Sequence, residues 1–171
     1  MTTTLRRAGS WLARRAENVA AAMLAAMFAA FLVQIASRYL LGLPTGWTHE
    51  LSTMLWVWLV LWGAAFVVSE REEIRFDILT GAAGPRARRV MAILAALGLV
   101  GLYAVSLPAV VDYVSFMKVQ RTAYLKVRFD LLFSIYVVFV VAAIVRYVWL
   151  GWRALRGDAP AADPVQATSG L

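Results

Sequence analysis

The chain has 171 residues, of which 62% are hydrophobic and 16% are charged, and it contains no cysteine. This composition is far more apolar than that of an ordinary soluble domain, and one domain is expected at this length. Disulfides, thiolate metal sites and cysteine nucleophiles are excluded. The net charge of +7 comes from basic residues that flank apolar runs, which indicates membrane topology rather than nucleic-acid binding.

Four apolar segments are long enough to cross a bilayer. A spanning helix needs about 20 mostly apolar residues, because each residue rises about 1.5 Å across a hydrocarbon core of about 30 Å. The segments lie at residues 19–41, 47–68, 90–111 and 131–150, and they are apolar on every side, as is typical of lipid-embedded helices. We therefore predict an all-α integral membrane protein with one four-span domain over residues 1–156. Residues 157–171 are expected to form a disordered cytoplasmic tail.

The first apolar segment is interpreted as a retained membrane anchor. A signal peptide has an apolar core of about 7–15 residues before its cleavage site, whereas this segment continues to Gln34 and Arg38. The N-terminal tail, the loop after span two and the end of span four together hold 12 of the 17 Lys and Arg residues. By the positive-inside rule, both termini are predicted to face the cytoplasm.

Polar residues are concentrated where span one ends and span two begins. Gln34 and Arg38 share a helix face, and Glu50 lies in the first turn of span two, where the helix dipole favours an anion. The chain reverses between them at residues suited to turns, Gly42, Pro44 and Gly46. One interpretation is a hydrogen-bonded cluster of Gln34, Arg38 and Glu50. The other is that Arg38 extends to the lipid headgroups and Glu50 only matches the dipole.

We predict that this region is a brace at the outer membrane interface. Thr48, like Thr45, is a candidate side-chain cap for span two, and Trp47 fits the aromatic belt of the membrane. The brace residues are Gln34, Arg38, Trp47, Thr48 and Glu50. Deeper in span two, Trp58 and Trp62 share a face that suits packing against a partner helix or against lipid.

Two segments outside the spans have a distinct character. The charged segment 70–79 alternates apolar and charged residues, so Ile74, Phe76 and Asp77 are assigned to a segment that lies along the cytoplasmic interface, with a solvated loop as the alternative. The segment before span four is basic. Its cations can contact an acidic partner or remain solvated; they are Lys118, Arg121, Lys126 and Arg128.

The sequence lacks the residues that several functional classes need. One histidine, His49, cannot supply the paired axial ligands of a membrane cytochrome or a zinc site. There is no P-loop, no dinucleotide fingerprint and no nucleophile placed beside a base, so we predict no enzymatic activity and no cofactor. Spans two to four carry no ionisable residue within 51–68, 90–111 or 131–145, which favours a supporting subunit over a self-sufficient carrier.

A family resemblance rests on the stretch SRYLLGLPTGWTHELSTMLWVWLVLWGAAFVV, followed by EREEIRFDIL. It is similar to the small membrane subunit (DctQ type) of tripartite ATP-independent periplasmic (TRAP) transporters over most of residues 19–150. The matching positions are Arg38, Tyr39, Pro44, Trp47, Thr48, Glu50, Ile74 and Asp77. The chain departs from the family pattern at His49, where relatives often have a second acid, and at Glu73, where they often have a histidine.

The resemblance implies a multi-pass subunit of a secondary importer in a bacterial inner membrane. A periplasmic binding protein would deliver an organic acid, and a large membrane subunit would bind sodium and substrate. The small subunit would scaffold the large one and help to dock the binding protein. Its partners would be these two proteins and membrane lipid. Two alternatives are a drug-resistance-type proton-coupled exporter, which needs a membrane-embedded acid, and an assembly subunit of another membrane complex.

Overall fold

The structure, a computed structural model, describes residues 2–43, 45–68 and 85–156. It contains four long helices, which are α1 (Thr2–Leu40), α2 (Gly46–Trp62), α3 (Pro85–Phe116) and α4 (Phe129–Leu155). A π-helical turn, Gly63–Val67, continues α2, and a 3₁₀ turn, Met117–Val119, follows α3. All four helices are long and apolar enough to cross a membrane, which confirms the predicted all-α membrane fold.

Three of the helices, α1, α3 and α4, extend past the predicted spans, most of all α1, which has 39 residues. Trp62 in the last turn of α2 donates a hydrogen bond from Nε1 to the carbonyl oxygen of Ala16 at 3.1 Å. Residues 2–15 of α1 therefore lie on the N-terminal side of the contact with the last residue of α2. The predicted interfacial residues Ile74, Phe76 and Asp77 and the predicted tail lie outside the described residues.

The four helices pack in the spatial order α1, α2, α4, α3. The most extensive contacts join α3 to α4 and α1 to α2, and the two pairs meet where α2 and its π-helical turn contact α4. Few apolar side chains are buried by this packing, and they are mostly small: Ala16, Ala30, Ala96, Ile135, Val140, Ala143 and Ala154. Large apolar side chains cover the outside, since hydrocarbon tails solvate them as well as a protein core would.

Polar side chains join the helices through backbone carbonyl oxygens. Besides Trp62, the Nε1 group of Trp58 donates to the carbonyl oxygen of Leu132 in α4 at 3.0 Å. Arg146 of α4 donates from Nη1 to the carbonyl oxygen of Ala64, in the π-helical turn, at 3.3 Å. These bonds fix α2 between α1 and α4, in a medium that offers no water to replace them.

Candidate functional site

The end of the bundle that carries residues 41–43, 45 and 117–128 is called here the bend end. Its main feature is the hairpin loop, residues 120–129, which leads into α4. An isolated antiparallel bridge joins Arg121 to Arg128. The N–H group of Thr122 donates to the carbonyl oxygen of Val127 at 2.9 Å, and the N–H group of Val127 donates to Thr122 Oγ1 at 3.1 Å. The loop is therefore an ordered unit closed by its own hydrogen bonds.

Glu50 lies in the second turn of α2, not in the first turn as predicted, and it binds the tip of this loop. Its Oε1 atom accepts a hydrogen bond from the N–H group of Tyr124, and its Oε2 atom accepts one from the N–H group of Leu125, each at 2.9 Å. Both bonds are strengthened by the charge of the carboxylate. Because the partners are 74 and 75 residues apart in sequence, Glu50 fixes the hairpin loop to the start of α2.

Gly46, the first residue of α2, lies directly against the ring of Tyr124. A Cβ atom at position 46 would overlap the ring carbons and the hydroxyl oxygen of Tyr124. Glycine is therefore required for the close approach of the loop to the helix, rather than only for the chain reversal predicted from the sequence.

Thr48 is fully buried and donates a hydrogen bond from Oγ1 to the carbonyl oxygen of Thr45 at 2.7 Å. Thr45 is the N-cap residue of α2, but its side chain makes no capping hydrogen bond. The predicted side-chain cap by Thr45 or Thr48 is therefore wrong. Thr48 instead tightens the turn that leads into α2.

We expect Gly46→Ala to displace the Tyr124 ring and to lower the free energy of unfolding by about 1 kcal/mol. This cost is near the low end for overpacking, because the Tyr124 ring is exposed and can move outward. The measurement is a double-mutant cycle in detergent with Tyr124→Ala as the second change. In the Tyr124→Ala background the glycine substitution should cost close to nothing. Equal costs in both backgrounds would show that the ring contact is not the cause.

Arg38 and Gln34 line an open polar cleft of about 470 Å³ between α1 and α2, and Tyr124 of the hairpin loop lines it too. His49 of α2 also lines it. No hydrogen bond or ion pair joins Arg38 to Glu50 within the described chain, because Glu50 turns to the hairpin loop and Arg38 to the cleft. The joint action of Gln34, Arg38 and Glu50 in assembly stays a prediction.

The tryptophans of α2 differ in their surroundings. Trp47, at the start of the helix, is 40% exposed, and Trp56 is 58% exposed. Trp58 and Trp62 are more buried, and their indole N–H groups donate inside the chain to Leu132 and to Ala16. A signal for these bonds existed in the sequence, because a buried indole N–H group needs an acceptor. Contact of Trp58 or Trp62 with a partner stays a prediction.

The basic residues of the bend end are not equivalent. Arg128 forms a two-bond ion pair with Asp130, from Nε to Oδ1 at 3.0 Å and from Nη2 to Oδ2 at 2.6 Å, so its charge is compensated. Lys118, Arg121 and Lys126 are exposed. Lys126 has a φ of 56°, which is uncommon for a residue other than glycine and indicates a conformation imposed by the loop around it.

This arrangement presents a rigid basic surface. No group of three His, Asp or Glu side chains could hold a metal ion in the part of the chain that the structure describes. The hairpin loop is ordered and carries exposed cations, and the Glu50 carboxylate fixes its tip through two hydrogen bonds. Such a surface suits recognition of another protein.

A family model described as "Tripartite ATP-independent periplasmic transporters, DctQ component" matches residues 27–157. The matched range contains Arg38, Glu50, the polar cleft, both interhelix tryptophans and the hairpin loop. The comparisons with curated proteins and with solved structures found no match.

Proposed function

The chain belongs to the DctQ family, the small membrane subunits of TRAP transporters, and we propose that it scaffolds the large membrane subunit and helps to dock a periplasmic binding protein during uptake of an organic acid. The observation that supports the docking role is the pair of hydrogen bonds that the Glu50 carboxylate accepts from the N–H groups of Tyr124 and Leu125. It holds a basic loop in one conformation before any partner arrives, so less conformational entropy is lost on docking.

The proposed orientation in a bacterial inner membrane has the bend end in the periplasm and both termini in the cytoplasm. Its support is the distribution of basic residues. The end of the bundle opposite the bend end carries many exposed arginines, among them Arg14, Arg15, Arg86, Arg89, Arg153 and Arg156.

The docking role is supported by charge at the hairpin loop. Lys118, Arg121 and Lys126 are exposed at the bend end, and an acidic patch on a binding protein would complement them. Charge complementarity of this kind mainly raises the rate of association. The fixed loop would also define the orientation in which the binding protein docks.

The scaffold role is supported by the outward face of α3. Leu94, Leu97 and Val105 are 63%, 65% and 81% exposed. Gly98 and Gly101, which lie among them, have nothing within 4 Å of the position that a Cβ atom would occupy. Small residues within an apolar helix face allow the backbone of a second membrane helix to approach closely. We propose that a helix of the large subunit packs there.

Reconstitution of the transporter tests this function. The full chain and its large subunit are copurified and inserted into liposomes, and the binding protein is added with its ligand. We expect sodium-driven uptake that requires all three proteins. Export of a lipophilic cation by this chain alone would contradict the proposal and favour the exporter.

A charge-reversal experiment tests the docking surface separately. Changing Lys118, Arg121 and Lys126 to Glu should lower the rate of uptake at limiting binding protein by about tenfold at low salt, with a smaller effect at high salt. The matched control reverses three exposed arginines at the opposite end of the bundle, Arg86→Glu, Arg153→Glu and Arg156→Glu, and so changes the net charge by the same amount. An equal loss of uptake in the control would show that net charge, rather than docking, is responsible.

A further inference from the structure

Two clefts open on one side of the α1–α2 pair. The polar cleft at the bend end has Gln34, Arg38 and His49 in its lining. A second cleft of about 700 Å³ is almost entirely apolar in its lining, which consists of Ala21, Leu24, Ala25, Met27, Phe28, Phe31 and Ser52.

The two clefts follow one continuous strip of helix surface. On α1, the lining residues recur at intervals of three or four positions, at 38, 34, 31, 27 and 24. On α2, Ser52 of the apolar cleft follows His49 of the polar cleft by three positions. Residues at these intervals share a helix face. Together the clefts form one surface, called here the α1–α2 groove, which is polar at the bend end and apolar beyond it.

The polar end of the groove has the chemistry of a phosphate site. Arg38 supplies a guanidinium group, which binds phosphate with two parallel hydrogen bonds. None of the described residues that line this cleft is acidic. The first N–H groups of α2 also start here, and the N-cap Thr45 gives them no side-chain acceptor. A helix N-terminus without a cap favours an anion, and Arg38 and His49 stand beside it.

The apolar end has the dimensions of an acyl chain. Leu24, Phe28 and Phe31 are 52%, 61% and 53% exposed along it. From Phe31 to Ala21 the apolar lining of α1 rises by roughly 15 Å at 1.5 Å per residue, which matches the half-thickness of about 15 Å of a bilayer core. The apolar end is therefore long enough for an acyl chain of one leaflet.

Ser52 marks the junction between the two ends. Its Oγ atom is shielded from solvent and has no hydrogen-bond partner in the part of the chain that the structure describes. Because a water-sized molecule cannot reach this oxygen, the hydroxyl can donate to a lipid only after the side chain rotates into the groove.

We propose that the α1–α2 groove is a binding site for one glycerophospholipid of the leaflet at the bend end. The phosphate contacts Arg38 and the start of α2, and an acyl chain lies against Leu24, Phe28 and Phe31. His49, which lines the same cleft, is a second hydrogen-bond donor to the phosphate. In the proposed orientation this is the periplasmic leaflet. The proposal is independent of the transport role, because binding is measured on this chain alone.

Native mass spectrometry of the full-length chain tests the site. The chain is purified in a mild detergent, stripped of lipid and titrated with phosphatidylglycerol. We expect one tightly bound lipid per chain, and a loss of affinity of about tenfold in Arg38→Gln, since one charge-assisted contact is removed. Ala25→Phe, which fills the apolar cleft, should also lower the affinity by about tenfold.

Each variant has a matched control. Arg121→Gln removes an exposed arginine from the same end of the bundle, and Ala26→Phe adds the same ring to the adjacent position of α1, outside the groove lining. Both should bind lipid like the original chain, and unchanged elution on size exclusion shows that all four variants fold. The proposal would be overturned if Arg38→Gln and Ala25→Phe both bound the lipid with the affinity of the original chain.

Two further results would also overturn it. Diacylglycerol, which lacks the phosphate, should bind at least about tenfold more weakly than phosphatidylglycerol. Equal affinity for the two lipids would show that the phosphate makes no contact in the site. A photocrosslinker at position 28 in the assembled complex should capture lipid. Capture of the large subunit there would show that a protein helix occupies the groove.

Discussion

Glu50→Gln is expected to loosen the hairpin loop and to lower uptake by the assembled transporter by about tenfold, without changing which organic acid is carried. The new amide keeps one acceptor oxygen but turns an NH₂ donor towards a backbone N–H group, so one of the two bonds to Tyr124 and Leu125 is lost. Hydrogen exchange checks the local effect, because amides in residues 120–128 should exchange about tenfold faster once the loop opens. Uptake in liposomes checks the functional effect.

The matched control for Glu50→Gln is Asp112→Asn. Asp112 is exposed on α3 near the same end of the bundle, and its substitution removes the same charge without touching the hairpin loop. Uptake and exchange should stay at the level of the original protein. A changed substrate preference in Glu50→Gln would contradict a purely positional role. An unchanged exchange rate in residues 120–128 would show that the loop does not depend on this carboxylate.

Trp58→Phe is expected to weaken the contact between α2 and α4 and so to lower the free energy of unfolding by about 1–3 kcal/mol. The substitution removes the hydrogen bond to the Leu132 carbonyl oxygen and part of a half-buried ring. Reversible unfolding in mixed detergent measures the loss.

Trp56→Phe is a stringent control, because Trp56 lies two positions away on the same helix but is 58% exposed. We expect a change within about 0.5 kcal/mol, as for other exposed positions. Similar losses in the two variants would mean that ring size, rather than the hydrogen bond to α4, determines the stability.

Two residues that the sequence grouped as a brace, Arg38 and Glu50, have different partners, although Tyr124 of the hairpin loop lies beside both of them. Glu50 organises the hairpin loop, whereas Arg38 faces the polar cleft with Gln34 and His49. The substitutions should therefore differ in their effects. Loss of Glu50 should act on the loop, and loss of Arg38 should act on lipid retention and, through it, on assembly in the membrane.

The sequence alone was sufficient for the four-helix membrane fold and for the family. Apolar length is a local property, and about 20 uninterrupted apolar residues have few stable conformations other than a spanning helix. The family pattern is also local, since Arg38, Trp47 and Glu50 lie within one short stretch on either side of a bend. Charges at the ends of the spans were sufficient for a predicted orientation.

Only the tertiary structure decided which groups meet. Glu50 and Trp58 each find a partner 74 residues away in the chain, and those partners are backbone N–H and carbonyl groups, which no side-chain pattern identifies. Gly46 has a second role only because Tyr124 lies over it. Hydrophobicity sets where helices insert, but it is similar on all their faces, so the packing order and the fixed position of the hairpin loop depend on a few polar contacts between distant segments.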